Sequence, residues 1–79
     1  MEIFYSKQVI KTIYGMDSAT KQRIKQGIIN IPQGDIKILQ GYVDGRQRLR
    51  IGKYRIVFQM EDDKLHVIAV GSRGDIYNS

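Results

Sequence analysis

Five cations fall between Arg46 and Arg55: Arg46, Arg48, Arg50, Lys53 and Arg55, with no acid among them. Guanidinium groups stay protonated and present forked donors that match phosphate geometry. Spaced every second residue on a strand, Arg46, Arg48 and Arg50 point to one face, and Gln47, Leu49 and Ile51 to the other. A stripe of one charge sign is the electrostatic footprint of a phosphate-bearing partner. Alternating arginines also describe a plain solvated face; the absence of interleaved acids weighs against that reading.

The next segment supplies the partner strand. If Gly52-Lys53 is a two-residue hairpin turn, Ile51 faces Tyr54, Leu49 faces Ile56 and Gln47 faces Phe58 on the core side. The same register sets Arg50 directly across from Arg55. Like charges placed opposite each other destabilise a sheet by some tenths of a kcal/mol, up to about 1. An acidic partner chain or a phosphate would relieve this. A slip of one residue would drive the charges into the core, so the register is strongly specified. With Asp62-Asp63 as a second turn, Leu65 pairs with Met60 and Val67 with Phe58. His66, Ile68 and Val70 then fall on the arginine face, His66 opposite Gln59.

These strands need elements to hold them. Residues 2–5 read as a short strand. Ser6 suits the cap of a helix from Lys7 to about Tyr14, with Val9, Ile10 and Ile13 on one face and Gly15 past its end. Asp17 or Ser18 caps a second helix to about Asn30, with Ile24, Ile28 and Ile31 inward; Pro32 and Gly34 end it. Lys21, Arg23 and Lys25 lie largely on its other side. After Asp35 the period becomes two: strands are expected over 36–40, 46–51, 54–60 and 65–71, with Asp44-Gly45 as a further turn. The order gives an α+β domain: an N-terminal strand, a two-helix hairpin, then an antiparallel β-meander with the helices on one face of the sheet.

Composition bounds the rest. The chain has 79 residues, one domain spanning 1–79, with net charge +5, 42% hydrophobic and 27% charged residues. Without cysteine and with a single histidine, a disulfide framework is excluded and a zinc site is not expected. Met1-Glu2-Ile3-Phe4-Tyr5 lacks the pattern of a signal peptide. No apolar run approaches the roughly 18 residues of a spanning helix. A cytoplasmic location is expected, with no membrane partner.

The run Arg48-Leu49-Arg50-Ile51-Gly52-Lys53-Tyr54-Arg55-Ile56-Val57-Phe58 resembles the core motif of the RelE/ParE toxin superfamily, R-x-R-V/I-G-x-Y-R-V/I. Lys37-Ile38-Leu39-Gln40-Gly41 is similar to that family's K-x-L-x-G element. Val67-Ile68-Ala69-Val70-Gly71-Ser72-Arg73, followed by Ile76-Tyr77, is similar to its closing strand. The resemblance covers essentially the whole chain and implies a RelE-like, microbial RNase-type sheet.

The resemblance implies a toxin of a type II toxin–antitoxin pair, with a cognate antitoxin as partner. The RelE branch cleaves mRNA in the ribosomal A site without a metal or cofactor. The ParE branch shares the fold and inhibits DNA gyrase. An inactive homologue acting as the antitoxin's partner in operon repression is a third reading. The working positions of the RelE branch match Arg48, Arg50, Arg55, Arg73 and Tyr77, which favours a ribosome-dependent endoribonuclease. Arg55 and Arg73 would stabilise charge on the phosphoryl oxygens, Arg48 and Arg50 would hold the RNA backbone, and Tyr77 would stack on a base. Arg46, Lys53, Lys21, Arg23 and Lys25 are further RNA-binding candidates; for the three on the helix a solvated face is the alternative, ribosomal RNA contact the sharper reading. RelE enzymes often carry lysines where this chain has Arg48 and Arg50. Arginine does not serve as a base, so no general base is evident. His66 is a residue type suited to proton transfer, but its register keeps it away from the arginines.

Overall fold

The computed structural model describes residues 2–41 and 45–72. Arg73 and Tyr77 lie outside the described residues, as does Asp44 of the expected Asp44-Gly45 turn. The elements run β1 (Glu2–Tyr5), α1 (Lys7–Tyr14), α2 (Ser18–Ile29), β2 (Asp35–Ile38), β3 (Gln47–Ile51), β4 (Tyr54–Glu61) and β5 (Lys64–Gly71). The strands form one sheet in the order β1-β5-β4-β3-β2. β1 runs parallel to β5, and β2 to β5 form the antiparallel meander. The α+β expectation holds, element by element.

Local chemistry explains the helix starts. The Ser6 Oγ accepts from the Val9 amide at 3.2 Å and donates to the Ile68 carbonyl at 2.8 Å. It therefore caps α1 and ties it to β5 at once. Asp17, rather than Ser18, caps α2: its carboxylate accepts from the Thr20 amide at 3.2 Å and from the Thr20 hydroxyl at 2.6 Å. Gly15 ends α1 with φ −80°, a conformation open to any residue, so its glycine character is not what stops the helix.

Both helices cover one sheet face. Val9, Ile13, Ile24, Ile28 and Ile31 pack there against Leu49, Ile56, Phe58, Leu65, Val67 and Val70. Full burial of an aliphatic or aromatic side chain contributes about 1.5–3 kcal/mol, so this layer dominates the stability. Ile10, expected inward, is 43% exposed. Gly27 lets α2 lie close on β3, because a Cβ there would collide with the Ile51 Cδ1.

The register of the Gly52-Lys53 hairpin is the expected one: Ile51 faces Tyr54, Arg50 faces Arg55, Leu49 faces Ile56 and Gln47 faces Phe58. Gly52 takes φ +57°, as a tight hairpin turn requires of its first residue. The β4–β5 pairing begins as expected, with Met60 opposite Leu65, Gln59 opposite His66 and Phe58 opposite Val67. It then departs. A bulge between Val57 and Phe58 brings Ala69 opposite Val57 and Val70 opposite Ile56. One extra residue reverses which face the following side chains take. Val70, expected beside the arginines, is buried in the core instead.

Candidate nucleic-acid interface

The sheet face away from the helices carries the arginines. Here β2 brings Asp35 opposite Arg50 and Lys37 opposite Arg48. The β4 strand brings Arg55 opposite Arg50 and Val57 opposite Arg48. The result is a cationic grid, Lys37, Arg48, Arg50 and Arg55, with Asp35 set among them and Glu61 at the far end of β4.

The three arginines are not equivalent. Arg48 is 8% exposed. Its Nη1 lies 3.7 Å from the Asp35 Oδ2 and donates to the Asp35 carbonyl at 3.4 Å. A buried guanidinium requires such partners. Asp35 is itself 58% exposed, so the pair opens to water on the carboxylate side. Val57 and Ala69 are buried on this face, and Arg48 lies across from Val57. Long arginine stems cover apolar atoms while their heads reach polar groups, which accounts for two hydrophobic residues on a charged surface. Arg50 is exposed and Arg55 half-buried. Their direct opposition leaves these two heads as the pair best placed to grip an anion. Arg46 immediately precedes β3; its carbonyl accepts from the Leu39 amide at 2.9 Å.

His66 stands apart from this pair. Gln59, its cross-strand partner, is four residues beyond Arg55 along β4, about 13 Å at the usual strand rise. Its ring stacks on Phe4, with centroids 5.2 Å apart and planes 15° from parallel. Phe4 is 43% exposed. This aromatic pair on the open face was not anticipated, because the parallel partnership of β1 and β5 leaves no mark in the sequence between them. Asp35 and Lys37 were missed as members of the face for a similar reason: they join it only through the β2–β3 register.

The helix cations lie on the opposite side, since α2 packs its Ile24 and Ile28 onto the core face. They also part company with one another. Lys21 holds its Nζ 5.4 Å from the Tyr14 ring centroid. Lys21 and Lys25 line a groove of about 270 Å³ with Tyr5, Ile10, Ile13 and Tyr14. Arg23 instead reaches the β3–β4 turn and, with Lys53, lines a cleft of about 160 Å³. One carboxyl outside these sites is perturbed: hydrogen bonds from the Thr20 hydroxyl, then the Thr20 amide, hold Asp17 below the usual carboxylate range.

A helical layer on one face of a five-stranded sheet and clustered guanidinium groups on the other define a small α+β protein with a cationic open face. Solved structures sharpen this. The chain is similar to the RelB–RelE antitoxin–toxin complex from Methanococcus jannaschii, with 26% identity, TM-score 0.74 and 95% of each chain covered. It is similar to the archaeal RelE–RelB complex from Pyrococcus horikoshii, with 23% identity, TM-score 0.73, and 92% and 94% of the two chains covered. It is also similar to a variant of the E. coli toxin RelE in the free state, with 22% identity, TM-score 0.72, and 98% and 90% covered. No family model matches the sequence, and no curated protein matches it. The structural likeness shows a RelE-like fold and, with the Arg48–Phe58 motif, supports placing the chain with the RelE/ParE toxins.

Proposed function

We propose that this chain is the toxin of a toxin–antitoxin pair and that it acts as a ribosome-dependent endoribonuclease. The observation that carries this reading is the opposed Arg50–Arg55 pair, with Arg48 beside it, on a sheet face free of helices among the described residues. Two like charges held opposite each other are unfavourable until an anion joins them. A phosphodiester meets that need.

The reaction is transesterification within RNA. The ribose 2′-oxygen forms a bond to the adjacent phosphorus, the phosphorus–5′-oxygen bond breaks, and the products are a 2′,3′-cyclic phosphate and a 5′-hydroxyl. The 2′-hydroxyl loses its proton and the departing 5′-oxygen gains one. Negative charge grows on the phosphoryl oxygens in between, and a preorganised donor aimed there contributes about 3–4 kcal/mol. Arg55 takes this role and Arg50 holds the backbone; Arg48, expected to hold the RNA backbone with it, is buried against Asp35 and instead fixes the strand that presents Arg50. The family resemblance adds Arg73 and Tyr77 as a second phosphate ligand and a stacking platform. The partners are mRNA in the ribosomal A site, ribosomal RNA and a cognate antitoxin, and the setting is the cytoplasm. The ribosome supplies substrate alignment, a large proximity effect.

Mapping RNA 5′ ends in a translating extract tests this. Cleavage within codons is expected, falling by about 10²–10³-fold in Arg55→Ala. Intact mRNA with altered DNA supercoiling would transfer the chain to the gyrase-directed branch. Growth arrest by Arg55→Ala equal to wild type would refute the assigned site.

A further inference from the structure

The cleft at the β3–β4 turn has a different composition from the open face. It is lined by Thr20, Arg23 and Ile24 of α2 and by Ile51, Lys53 and Tyr54 of the hairpin. Two cations from elements distant in sequence converge there, and none of the lining residues is acidic. The Lys53 Nζ lies 5.4 Å from the Tyr54 ring centroid. Arg23 crosses from the helix to the turn: a Cβ on Gly52 would sit 3.2 Å from its Nη2. Glycine at this position therefore serves the turn and also makes room for the guanidinium.

The acid at the start of the same helix, Asp17, is already committed. Asp17 binds the Thr20 amide and hydroxyl as the cap of α2. The acidic run Glu61-Asp62-Asp63 lies at the other end of β4. Ile24 and Ile51 form an apolar floor, and a low-dielectric wall strengthens the attraction of nearby charges for an anion. Arg23 and Lys53 supply the donors, and Tyr54 lines the cleft beside them.

The cleft also sits close to the arginine face. Arg50 and Arg55 are separated from the turn by one residue pair, Ile51 and Tyr54, about 7 Å along the strand, and they project from the opposite sheet face. A single polynucleotide passing over the end of the hairpin reaches both. We propose that the Arg23–Lys53 cleft is a second phosphate subsite, which takes a backbone phosphate of a strand whose neighbouring nucleotides lie on Arg50 and Arg55. The proposal rests on the RNA-binding reading of the open face for its choice of strand, but the cleft's affinity for phosphate stands by itself.

Two measurements test it. Titration with inorganic phosphate at low salt, followed by amide NMR, is expected to shift Thr20, Gly52 and Lys53 in wild type and not in Arg23→Gln or Lys53→Gln. Both side chains are exposed, so the variants keep the fold. Binding of a non-cleavable, 2′-O-methylated single-stranded oligonucleotide of eight nucleotides is then measured against salt. Arg23→Gln is expected to weaken it severalfold and to reduce the slope of log K against log salt by about 0.7. Lys64→Gln, with the same change in charge, is expected to leave the slope unchanged. If Arg55→Gln weakens the long probe and Arg23→Gln does not, the subsite is refuted while the open-face reading stands. If phosphate moves none of the three amides, the subsite is refuted outright. If phosphate shifts them but Arg55→Gln leaves the long probe unaffected, the open-face reading fails and the proposed strand path with it.

Discussion

Replacing Arg55 with glutamine removes one of two guanidinium groups that face each other across β3 and β4. In the free protein their repulsion costs some tenths of a kcal/mol, up to about 1. Asp35, opposite Arg50 on the other side, offsets part of it, so about 0.5 kcal/mol is a fair figure for the relief. In a domain of this size 1 kcal/mol moves Tm by about 4–8 °C, which puts the gain at about 2–4 °C. Glutamine keeps much of the half-buried stem, so little packing is lost. The same substitution removes the donor assigned to the phosphoryl oxygens, and the cleavage rate falls by about 10²–10³-fold. The variant is therefore more stable and less active. Salt separates this cause from others: at about 1 M the screening length is about 3 Å, and the difference in Tm between variant and wild type closes. Calorimetry at low and high salt, paired with the cleavage assay, measures both halves. A variant that melts below wild type at low salt, or a gain that survives 1 M salt, would refute the electrostatic argument.

Three further outcomes follow from the packing and the caps. Gly27→Ala gains about 1 kcal/mol of helix preference but loses about 1–3 kcal/mol to the collision with Ile51. Urea unfolding is expected to show a net loss that Ile51→Val restores in the double variant; a single variant as stable as wild type would mean that Ile51 swings aside. Ser6→Ala is expected to cost about 1 kcal/mol and to speed hydrogen exchange at the Val9 amide, because the same hydroxyl caps α1 and holds β5. Thr20→Val is expected to change the acid limb of the stability curve. Asp17 has its folded pKa depressed chiefly by the Thr20 hydroxyl, so its contribution is complete above the ordinary carboxylate range and is lost as pH falls through the folded value. Without the hydroxyl that loss shrinks, and Tm against pH is flatter at the acid end.

Much of the fold was legible because its signals were local. The Gly52-Lys53 turn joins two segments whose alternation permits one register, and a slip would bury Arg50 or Arg55. Ser6 and Asp17 carry side chains that cap by reaching three residues ahead. The bulge was not legible: Val57, Phe58 and Ile68 are ordinary strand residues, and only the packing of Val70 onto the core shows where the ladder shifts. Ile10 misled for a related reason, since helical spacing places it near Val9 and Ile13 but not which flank of α1 the sheet covers.

The sequence by itself determined that a cationic strand would exist, that Arg50 would oppose Arg55, and that helices would occupy the other sheet face. Alternation of two and spacing of three to four are properties of the chain, so they can be read along it. Tertiary structure alone decided which arginine is sunk and which is presented. Asp35, thirteen residues away from Arg48, draws that buried guanidinium into a half-exposed ion pair through the β2–β3 register. It likewise separated Arg23 from Lys21 and Lys25 and turned it toward Lys53. Charge–charge geometry between distant segments depends on how elements pack, and no periodicity within either segment encodes it.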